Sequence, residues 1–225
     1  MVKVLVISAH PDDETLGCGG TLLKHQHAGD KIHWAIVTSA LGEYWTDCER
    51  RVKSDEIEVV SKRYNFKSYH RLNLPSTELD VVPFNEIIDG IRKVIEETKP
   101  EVVYVVSEGD IHSDHRLVFQ ASMSVLKPIY MTQLGISRVL SFETLSSTEA
   151  SATVNTTSKF VPNCFNDISD FLEDKISMMS VYQSELHKDP LPRGPSAIRS
   201  LARYRGATCG FEYAEAFMMI REITL

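Results

Sequence analysis

Short apolar runs alternate with longer amphipathic segments over the first two thirds of the chain, and this order most constrains the fold. The runs at 2–8 and Val102–Val106 are almost wholly apolar, as strands buried on both faces are. Between them, Phe84–Thr98 carries its isoleucines on one face, the pattern of an amphipathic helix. Strands that alternate with helices predict an α/β fold, a three-layer sandwich around a mostly parallel, Rossmann-like sheet.

The remaining elements are predicted from the same patterns. Further helices are expected at 16–28, 49–64 and 115–126, and further strands at 31–38, 68–74 and 138–142. The less regular last third predicts a strand, a turn, a helix over 168–183, a short helix over 197–204 and a terminal strand over 216–221. Pro128 is expected to end the helix before it. With 225 residues, of which 43% are hydrophobic, we expect residues 1–225 to form a single domain.

The composition excludes some classes of protein. A net charge of −7 argues against a nucleic-acid partner, because such proteins present a basic face. No apolar stretch is long enough for a membrane span, and the first strand begins too early to leave room for a signal peptide. The four cysteines form no CxxC pair. We therefore expect a reduced, cytoplasmic protein.

Two clusters of polar residues follow strands of the predicted sheet. His10 and Asp13 lie in "HPDDE", directly after the first strand, and His112 and His115 lie in "HSDH", after the fourth. Ligands bind at the carboxyl ends of the strands in such sheets, so both loops should open onto one edge. A catalytic zinc site typically has three His or Asp/Glu ligands and one open position. Two ligands from the first loop and one from the second would complete such a site.

The clusters hold more residues than a metal ion needs. Zinc lowers the pKa of bound water, a nearby carboxylate can act as general base, and a further imidazole can stabilise an oxyanion or protonate a leaving group. The residues available for these roles are His10, Asp12, Asp13, His112, Asp114 and His115. Glu14 either accepts hydrogen bonds behind the site or only favours the helix N-terminus. The glycines of "GCGG" do not form GxGxxG, so we expect them to allow close packing.

"AHPDDETLGCGGTLLKH" together with "HSDH" resembles the PIG-L/LmbE-like superfamily of zinc-dependent N-acetylglucosaminyl deacetylases. The resemblance covers most of the chain and implies that His10, Asp13 and His115 bind Zn²⁺, although other divalent ions also suit two histidines and an aspartate. It also implies that Asp12 is the general base, that His112 lies near the substrate carbonyl and that Asp114 orients His112. Ser113 replaces the proline of the common family form, HPDH.

The implied reaction is removal of an acetyl group from an N-acetylated amino sugar or sugar conjugate. A zinc amidase for a non-sugar amide, such as a thiol conjugate or an antibiotic precursor, is one alternative, and a non-catalytic nucleotide- or sugar-binding module is another. The resemblance further suggests a homo-oligomer, a trimer or hexamer, and a substrate-contacting arginine, for which we select Arg51 over its neighbour Arg50. Tyr44 and Trp45 lie in a loop at the same edge of the sheet, where Tyr44 could stack on a sugar ring. His187 and Arg193 lie in the proline-rich loop, which could form a substrate lid, and we prefer to interpret them as residues of a surface loop.

Overall fold

A seven-stranded sheet forms the centre of the protein in the computed structural model, which describes residues 1–41, 45–151 and 159–224. In chain order the strands are β1 (Lys3–Ser8), β2 (Lys31–Ser39), β3 (Ser68–Pro75), β4 (Val102–Val106), β5 (Arg138–Phe142), β6 (Cys164–Asp167) and β7 (Ala214–Glu222). The order across the sheet is β3–β2–β1–β4–β5–β7–β6. Strands β1 to β5 are parallel, and β7 pairs antiparallel with both β5 and β6.

Helices cover both faces of this sheet. They are α1 (Asp13–His27), α2 (Asp47–Arg63), α3 (Phe84–Thr98), α4 (Ser113–Val125), α5 (Pro128–Leu134), α6 (Leu172–Met179) and α7 (Pro195–Cys209). Right-handed crossovers put α1 on one face and α3 with α4 on the other. On the first face α1 packs against α6, and α7 packs against β7. The predicted three-layer α/β sandwich is confirmed. No helix in the described part of the chain is long and apolar enough to cross a membrane.

The strand order places a crevice between β1 and β4. The chain moves outward from β1 through β2 to β3, then returns to pair β4 with the other side of β1. The loops that follow β1 and β4 therefore leave the sheet in diverging directions, which is the arrangement that opens a ligand site in doubly wound sheets. The "HPDDE" and "HSDH" segments are these two loops.

Most predicted elements are confirmed, and three bounds match the observed ones: Phe84–Thr98, Val102–Val106 and Arg138–Phe142. The prediction that the helix before Pro128 ends there is confirmed, because α4 ends at Val125. Pro128 is also the first residue of α5, a position where proline is favoured because the missing N–H has no helical acceptor. The last helix is longer than predicted and spans Pro195–Cys209, again with proline in its first turn.

The glycines after the acidic cluster allow α1 to pack close to its neighbours. A Cβ atom on Gly17 would lie 2.0 Å from the Phe142 ring, and one on Gly20 would lie 2.8 Å from Ile168. Both distances are shorter than van der Waals contact permits. The expectation that these glycines serve packing is therefore confirmed for Gly17 and Gly20.

A break inside α1 is held by two buried side chains. Cys18 has non-helical backbone angles, so the N–H groups that follow it lack helical acceptors. The Glu215 carboxylate, on β7, accepts from the Gly20 and Thr21 N–H groups at 2.8 and 2.7 Å. The Lys175 ammonium pairs with Glu215 at 2.7 Å and donates to a carbonyl in the first half of α1. A protein carboxylate thus occupies the N–H groups that a phosphate would need.

Candidate metal centre and active site

His10, Asp13 and His115 meet at the crevice between β1 and β4. His10 Nδ1 lies 3.3 Å from His115 Nε2, and His115 Nε2 lies 3.2 Å from Asp13 Oδ1. His10 Nδ1 lies 3.8 Å from Asp13 Oδ2. The ligand atoms of these three residues form a group that could hold a metal ion.

The donor set fits a zinc ion. Two imidazole nitrogens and a carboxylate are ligands that zinc prefers, and in a tetrahedron with bonds of 2.0–2.1 Å the ligand atoms lie roughly 3.3 Å apart. Two of the three measured separations, 3.2 and 3.3 Å, agree with that spacing. Asp13 and His115 are each only 2% exposed, so their positions are fixed by packing. The residues that the resemblance implies as ligands are therefore brought together.

Local structure explains how these ligands are oriented. Asp13 begins α1, and its Oδ2 accepts a hydrogen bond from the His10 backbone N–H at 2.8 Å, which closes the HPDD loop. His115 lies in the first turn of α4. In each loop, the first turn of the helix that follows the strand thus supplies a ligand.

A carboxylate that the sequence analysis did not select lies behind His115. Asp110 Oδ2 is 3.0 Å from His115 Nδ1, the ring nitrogen that does not face Asp13. Burial alone would lower the pKa of His115, but Asp13 and Asp110 outweigh it and raise that pKa to about 10. The protonated, positively charged form of the imidazole is thus favoured between the two carboxylates. The sequence feature that could have identified Asp110 is its place in the same loop, two residues before His112.

Asp12 has a strained backbone and a buried carboxylate. Its φ of 118° lies in the left-handed region that non-glycine residues rarely adopt, and such strain concentrates at functional sites. Burial raises the pKa of the Asp12 carboxyl well above its usual value, while Arg193 opposes this. The Arg193 guanidinium donates to Asp12 Oδ2 at 3.1 Å. Asp12 is therefore held apart from Asp13, although the two are adjacent in sequence.

The Glu14 carboxyl group contacts the backbone of Asp12. It is completely buried and accepts hydrogen bonds from the Tyr182 and Thr15 hydroxyls, both at 2.7 Å, and from the Asp12 backbone N–H at 3.2 Å. Burial raises the pKa of Glu14 to about 7. Of the two interpretations of Glu14 offered above, the acceptor behind the site agrees with these contacts.

His112 caps α4 and lines the site. Its Nδ1 accepts a hydrogen bond from the Asp114 backbone N–H at 3.2 Å, so in the neutral ring the proton resides on Nε2. Burial, together with His10 and His115, lowers the pKa of His112 to about 4. His112 is therefore a neutral imidazole with one donor nitrogen left for a ligand.

The Asp114 carboxylate contacts a different histidine from the one implied by the resemblance. Asp114 Oδ2 lies 2.9 Å from His10 Nε2 and accepts from the Thr77 backbone N–H at 2.7 Å. Among the described hydrogen bonds, none joins the Asp114 carboxylate to the His112 ring, although the two side chains are close enough to interact electrostatically; the hydrogen bond to His112 comes from the Asp114 backbone N–H. Asp114 thus fixes the ring of His10, because that ring presents its other nitrogen to His115 and Asp13.

A cavity of about 270 Å³ opens directly above these residues. His10, Asp12, His112 and His115 line its floor, and the carboxyl ends of β2 and β3, with the residues that follow β3, form its far side. The far side presents neutral polar side chains, listed here: Thr38, Ser39, Asn73, Ser76 and Thr77. The arrangement can hold a small polar molecule with one end beside Asp12 and His112.

Arg193 belongs to the site, so its interpretation as a surface residue was wrong. Besides Asp12, its guanidinium donates to Glu185 Oε2 and to Ser146 Oγ, both at 2.7 Å. These contacts tie the proline-rich loop to the cavity wall, and Arg193 and Glu185 both line it. No local pattern in the sequence distinguishes Arg193 from the other arginines nearby.

The substrate contact suggested for Arg51 receives no support from the placement of that residue. Arg51 is exposed on α2 and does not line the cavity, whereas the neighbouring Arg50 does. Tyr44 lies outside the described residues. Trp45, next to it, lines the cavity. A helix turns about 100° per residue, so adjacent arginines face different ways and the sequence alone did not separate them.

Comparisons with known proteins match most of the chain. The PIG-L model, described as GlcNAc-PI de-N-acetylase, matches residues 5–126, more than half of the chain. The diacetylchitobiose deacetylase of Thermococcus kodakarensis is 27% identical, with 99% of this chain and 85% of that protein covered.

Two solved structures share the fold. The conserved protein TT1542 from Thermus thermophilus has a TM-score of 0.77 at 23% identity, with 100% of this chain and 97% of that chain covered. GalB, the 4-carboxy-2-hydroxymuconate hydratase of Pseudomonas putida KT2440, has a TM-score of 0.73 at 16% identity, with 100% and 98% covered. At these sequence identities, the two structures support a shared fold and nothing about function. From the family match and the motif residues assembled at one crevice, the chain belongs to the PIG-L family of N-deacetylases, enzymes that act on amide C–N bonds.

Proposed function

We propose that this protein is a zinc-dependent hydrolase that removes the acetyl group from an N-acetylated amino sugar or sugar conjugate. One observation carries the proposal: the ligand group His10, Asp13 and His115 lies at the floor of a cavity that Asp12 and His112 also line. The similarity to a diacetylchitobiose deacetylase supports a sugar as the substrate.

His10, Asp13 and His115 would hold the zinc ion, with Asp114 and Asp110 orienting the two histidines. Bound there, zinc would polarise the amide carbonyl and lower the pKa of a water molecule toward neutrality.

Asp12 is the general base in this proposal. Its carboxylate lines the cavity beside the ligand group, within reach of a water molecule that attacks the acetyl carbonyl. Its Oδ2 is bound by Arg193, which leaves Oδ1 to accept the proton from the water. The protonated carboxyl group then donates this proton to the departing amine.

His112 stabilises the negative charge that develops on the carbonyl oxygen. Because Nδ1 is occupied by the Asp114 N–H group, the Nε2–H group is the donor available to the substrate. A fixed donor of this kind lowers the energy of the tetrahedral intermediate more than that of the planar amide. The hydroxyl and amide side chains on the far side of the cavity would bind the sugar hydroxyls.

The four cysteines are all free thiols in the structure, which suits a reducing compartment, and we place the protein in the cytoplasm on that basis. The described residues share one continuous sheet, which supports a single domain over 1–225.

Acetate release from a panel of N-acetylated sugars tests the function. The panel includes N-acetylglucosamine, diacetylchitobiose and a non-sugar acetamide, each assayed with added zinc and with a chelator. We expect zinc-dependent release from at least one sugar and none from the acetamide. Release from the acetamide alone would favour the non-sugar amidase. Absence of release from every compound, in a protein without bound metal, would reject the proposal.

A further inference from the structure

We propose that Tyr182 is a positioning residue for catalysis. Its hydroxyl acts through Glu14 to hold Asp12 in the backbone conformation that presents the Asp12 carboxylate to the cavity. The inference rests on the proposed function, in which Asp12 is the general base. Tyr182 is completely buried and is not among the residues that line the cavity, so it acts on the reaction only through its neighbours.

Asp12 departs from the usual conformation of an aspartate in front of a helix. At this position the side chain normally accepts a hydrogen bond from the backbone of the first turn, and the residue itself is extended. The Asp12 side chain makes no such bond, and its φ is 118°. A backbone conformation of this kind persists only where the surrounding structure imposes it. Contacts from outside the helix backbone must therefore hold Asp12 in place.

Glu14 supplies the contact at the backbone of Asp12. Glu14 Oε2 accepts from the Asp12 N–H group at 3.2 Å. The Asp12 carbonyl is bound by the helix, since it accepts from the N–H groups of Thr15 and Leu16 at 3.0 and 2.8 Å. With the carbonyl held, a change of φ would swing the N–H group away from Glu14. The hydrogen bond to Glu14 thus opposes relaxation of the strained backbone.

Tyr182 fixes the Glu14 carboxyl group. The Tyr182 hydroxyl donates to Glu14 Oε1 at 2.7 Å, and the Thr15 hydroxyl donates to the same oxygen at 2.7 Å. Thr15 moves together with Glu14, because both belong to the first turn of α1. Tyr182 instead follows α6 and connects Glu14 to a separate part of the fold. Hydrogen bonds between buried polar groups are stronger than those in water, which makes this connection rigid.

The segment that carries Tyr182 also holds the Asp12 side chain. The Glu185 N–H group donates to the Tyr182 carbonyl at 3.0 Å. The Glu185 carboxylate accepts from Arg193 at 2.7 Å. Arg193 in turn donates to Asp12 Oδ2 at 3.1 Å. One short stretch of chain thus fixes both the backbone and the carboxylate of the proposed base.

Removal of one hydroxyl tests the inference. For the best sugar substrate of the panel, Tyr182→Phe should lower kcat by about tenfold and leave KM within about twofold, in line with the loss of one buried hydrogen bond. Zinc affinity should remain that of the parent, because Tyr182 is not in the ligand group.

Tyr104→Phe is the matched control. It removes another buried hydroxyl, which lies 3.2 Å from His25 Nε2 on the amino-terminal side of α1's partner strand β4. The control should retain the parent kcat even where its free energy of unfolding falls as much as that of Tyr182→Phe. Equal kcat values in the two variants would overturn the inference.

A double-mutant cycle tests whether Tyr182 acts through Glu14. Glu14→Gln should lower kcat at least as much as Tyr182→Phe does. In the double variant the two losses should not multiply, because substitutions that disrupt one shared contact are not additive. Losses that multiply would overturn the inference. A rise in KM or a loss of zinc affinity as large as the loss in kcat would do the same, because it would assign Tyr182 a general structural role.

Hydrogen exchange of the Asp12 backbone amide separates this inference from the proposed function, since it requires no turnover. In the zinc-loaded protein, NMR should show exchange about tenfold faster in Tyr182→Phe than in Tyr104→Phe, because local opening governs exchange. Faster exchange in a protein that releases no acetate from any substrate would support the hold on Asp12 and reject the deacetylase. Acetate release with unchanged kcat and unchanged exchange in Tyr182→Phe would reject the inference alone.

Discussion

Asp110 Oδ2 lies 3.0 Å from His115 Nδ1 and accepts hydrogen bonds from the hydroxyls of Ser147 and Thr148 at 2.8 and 2.7 Å. Its Oδ1 also accepts from the His112 backbone N–H at 2.8 Å, so three donors fix the carboxylate while it holds the ring of a proposed metal ligand. Carboxylates in this position orient the ligand and increase its basicity.

Asp110→Asn should weaken zinc binding by about 10- to 100-fold while leaving the fold intact. Competition with a chromophoric chelator measures the affinity, and circular dichroism checks the fold. Asp89→Asn, at an exposed position on α3, is the control and should bind zinc as the parent does. Unchanged affinity in Asp110→Asn would mean that the contact has no role in metal binding.

Substitution of the adjacent residues Asp12 and Asp13 should have different effects on metal binding. Asp12→Asn should retain bound metal and lose about 10²- to 10⁴-fold in kcat, the usual contribution of a general acid–base group. Asp13→Asn should lose the metal first, because Asp13 supplies a ligand atom. Metal analysis of each purified variant, together with acetate release, separates the outcomes. Loss of metal in both variants would remove the distinction between the two residues.

Arg193→Gln should reduce kcat/KM for acetate release by about 10-fold or more, in line with the loss of a charged hydrogen bond. Its guanidinium contacts Asp12, Glu185 and Ser146, so its removal frees both the Asp12 carboxylate and the proline-rich loop. Arg199→Gln serves as the control, because Arg199 pairs with Glu173 on the protein surface, outside the cavity. Equal activity in the two variants would contradict a role for Arg193 in the site.

Glu14 should make the metal-free protein less stable as the pH rises. Burial raises the pKa of Glu14 from 4.5 to about 7, so between these values the unfolded chain has released a proton that the folded chain still binds. The free energy of unfolding then falls with pH, by up to about 3 kcal/mol.

Urea unfolding of the metal-free protein at about pH 5 and about pH 7.5, on either side of most of this range, measures the slope. Glu14→Gln should reduce this slope and leave the part contributed by Asp12 and His115, whose pKa values are also raised, whereas Glu86→Gln, at an exposed position on α3, should leave it unchanged. A slope of the same size in Glu14→Gln would assign the pH dependence to the other groups alone.

Gly17→Ala should destabilise the fold by about 1–3 kcal/mol or more, the cost of overpacking a core, because the added Cβ would meet Phe142. Combining it with Phe142→Leu should cost less than the sum of the single substitutions. Thermal or urea unfolding of the four proteins gives this coupling, and strict additivity would exclude the clash as the cause.

The order of elements was predictable because apolar runs and amphipathic periods survive in any buried strand or helix. Val102–Val106 is wholly apolar and Phe84–Thr98 has one apolar face, and both bounds agree with the structure. At Pro128 the sequence was compatible with two structures, because a proline that ends one helix can also be the first residue of the next. Only the tertiary path of the chain decides between them.

The residues of the metal group were predictable because they are close in sequence within two loops that the sheet brings together. Arg193 and Asp110 were not selected, for different reasons. Arg193 reaches Asp12 across 181 positions, a pairing that depends on how the last third of the chain folds back. Asp110 lies in the predicted loop, but which ring an aspartate faces there is set by backbone turns that sequence spacing does not define.

The buried carboxylate of Glu215 makes the first helix of the fold depend on its last strand. Glu215 lies on β7, and it satisfies the N–H groups in the helix that starts with Asp13. During synthesis the "HPDDE" segment emerges first, but the break in α1 lacks its acceptor until β7 has joined the sheet. A ribosome-bound chain that has emerged only as far as α4 would carry every proposed metal ligand, yet we expect it to bind zinc weakly. The active site would then be complete only once β7 has joined the sheet.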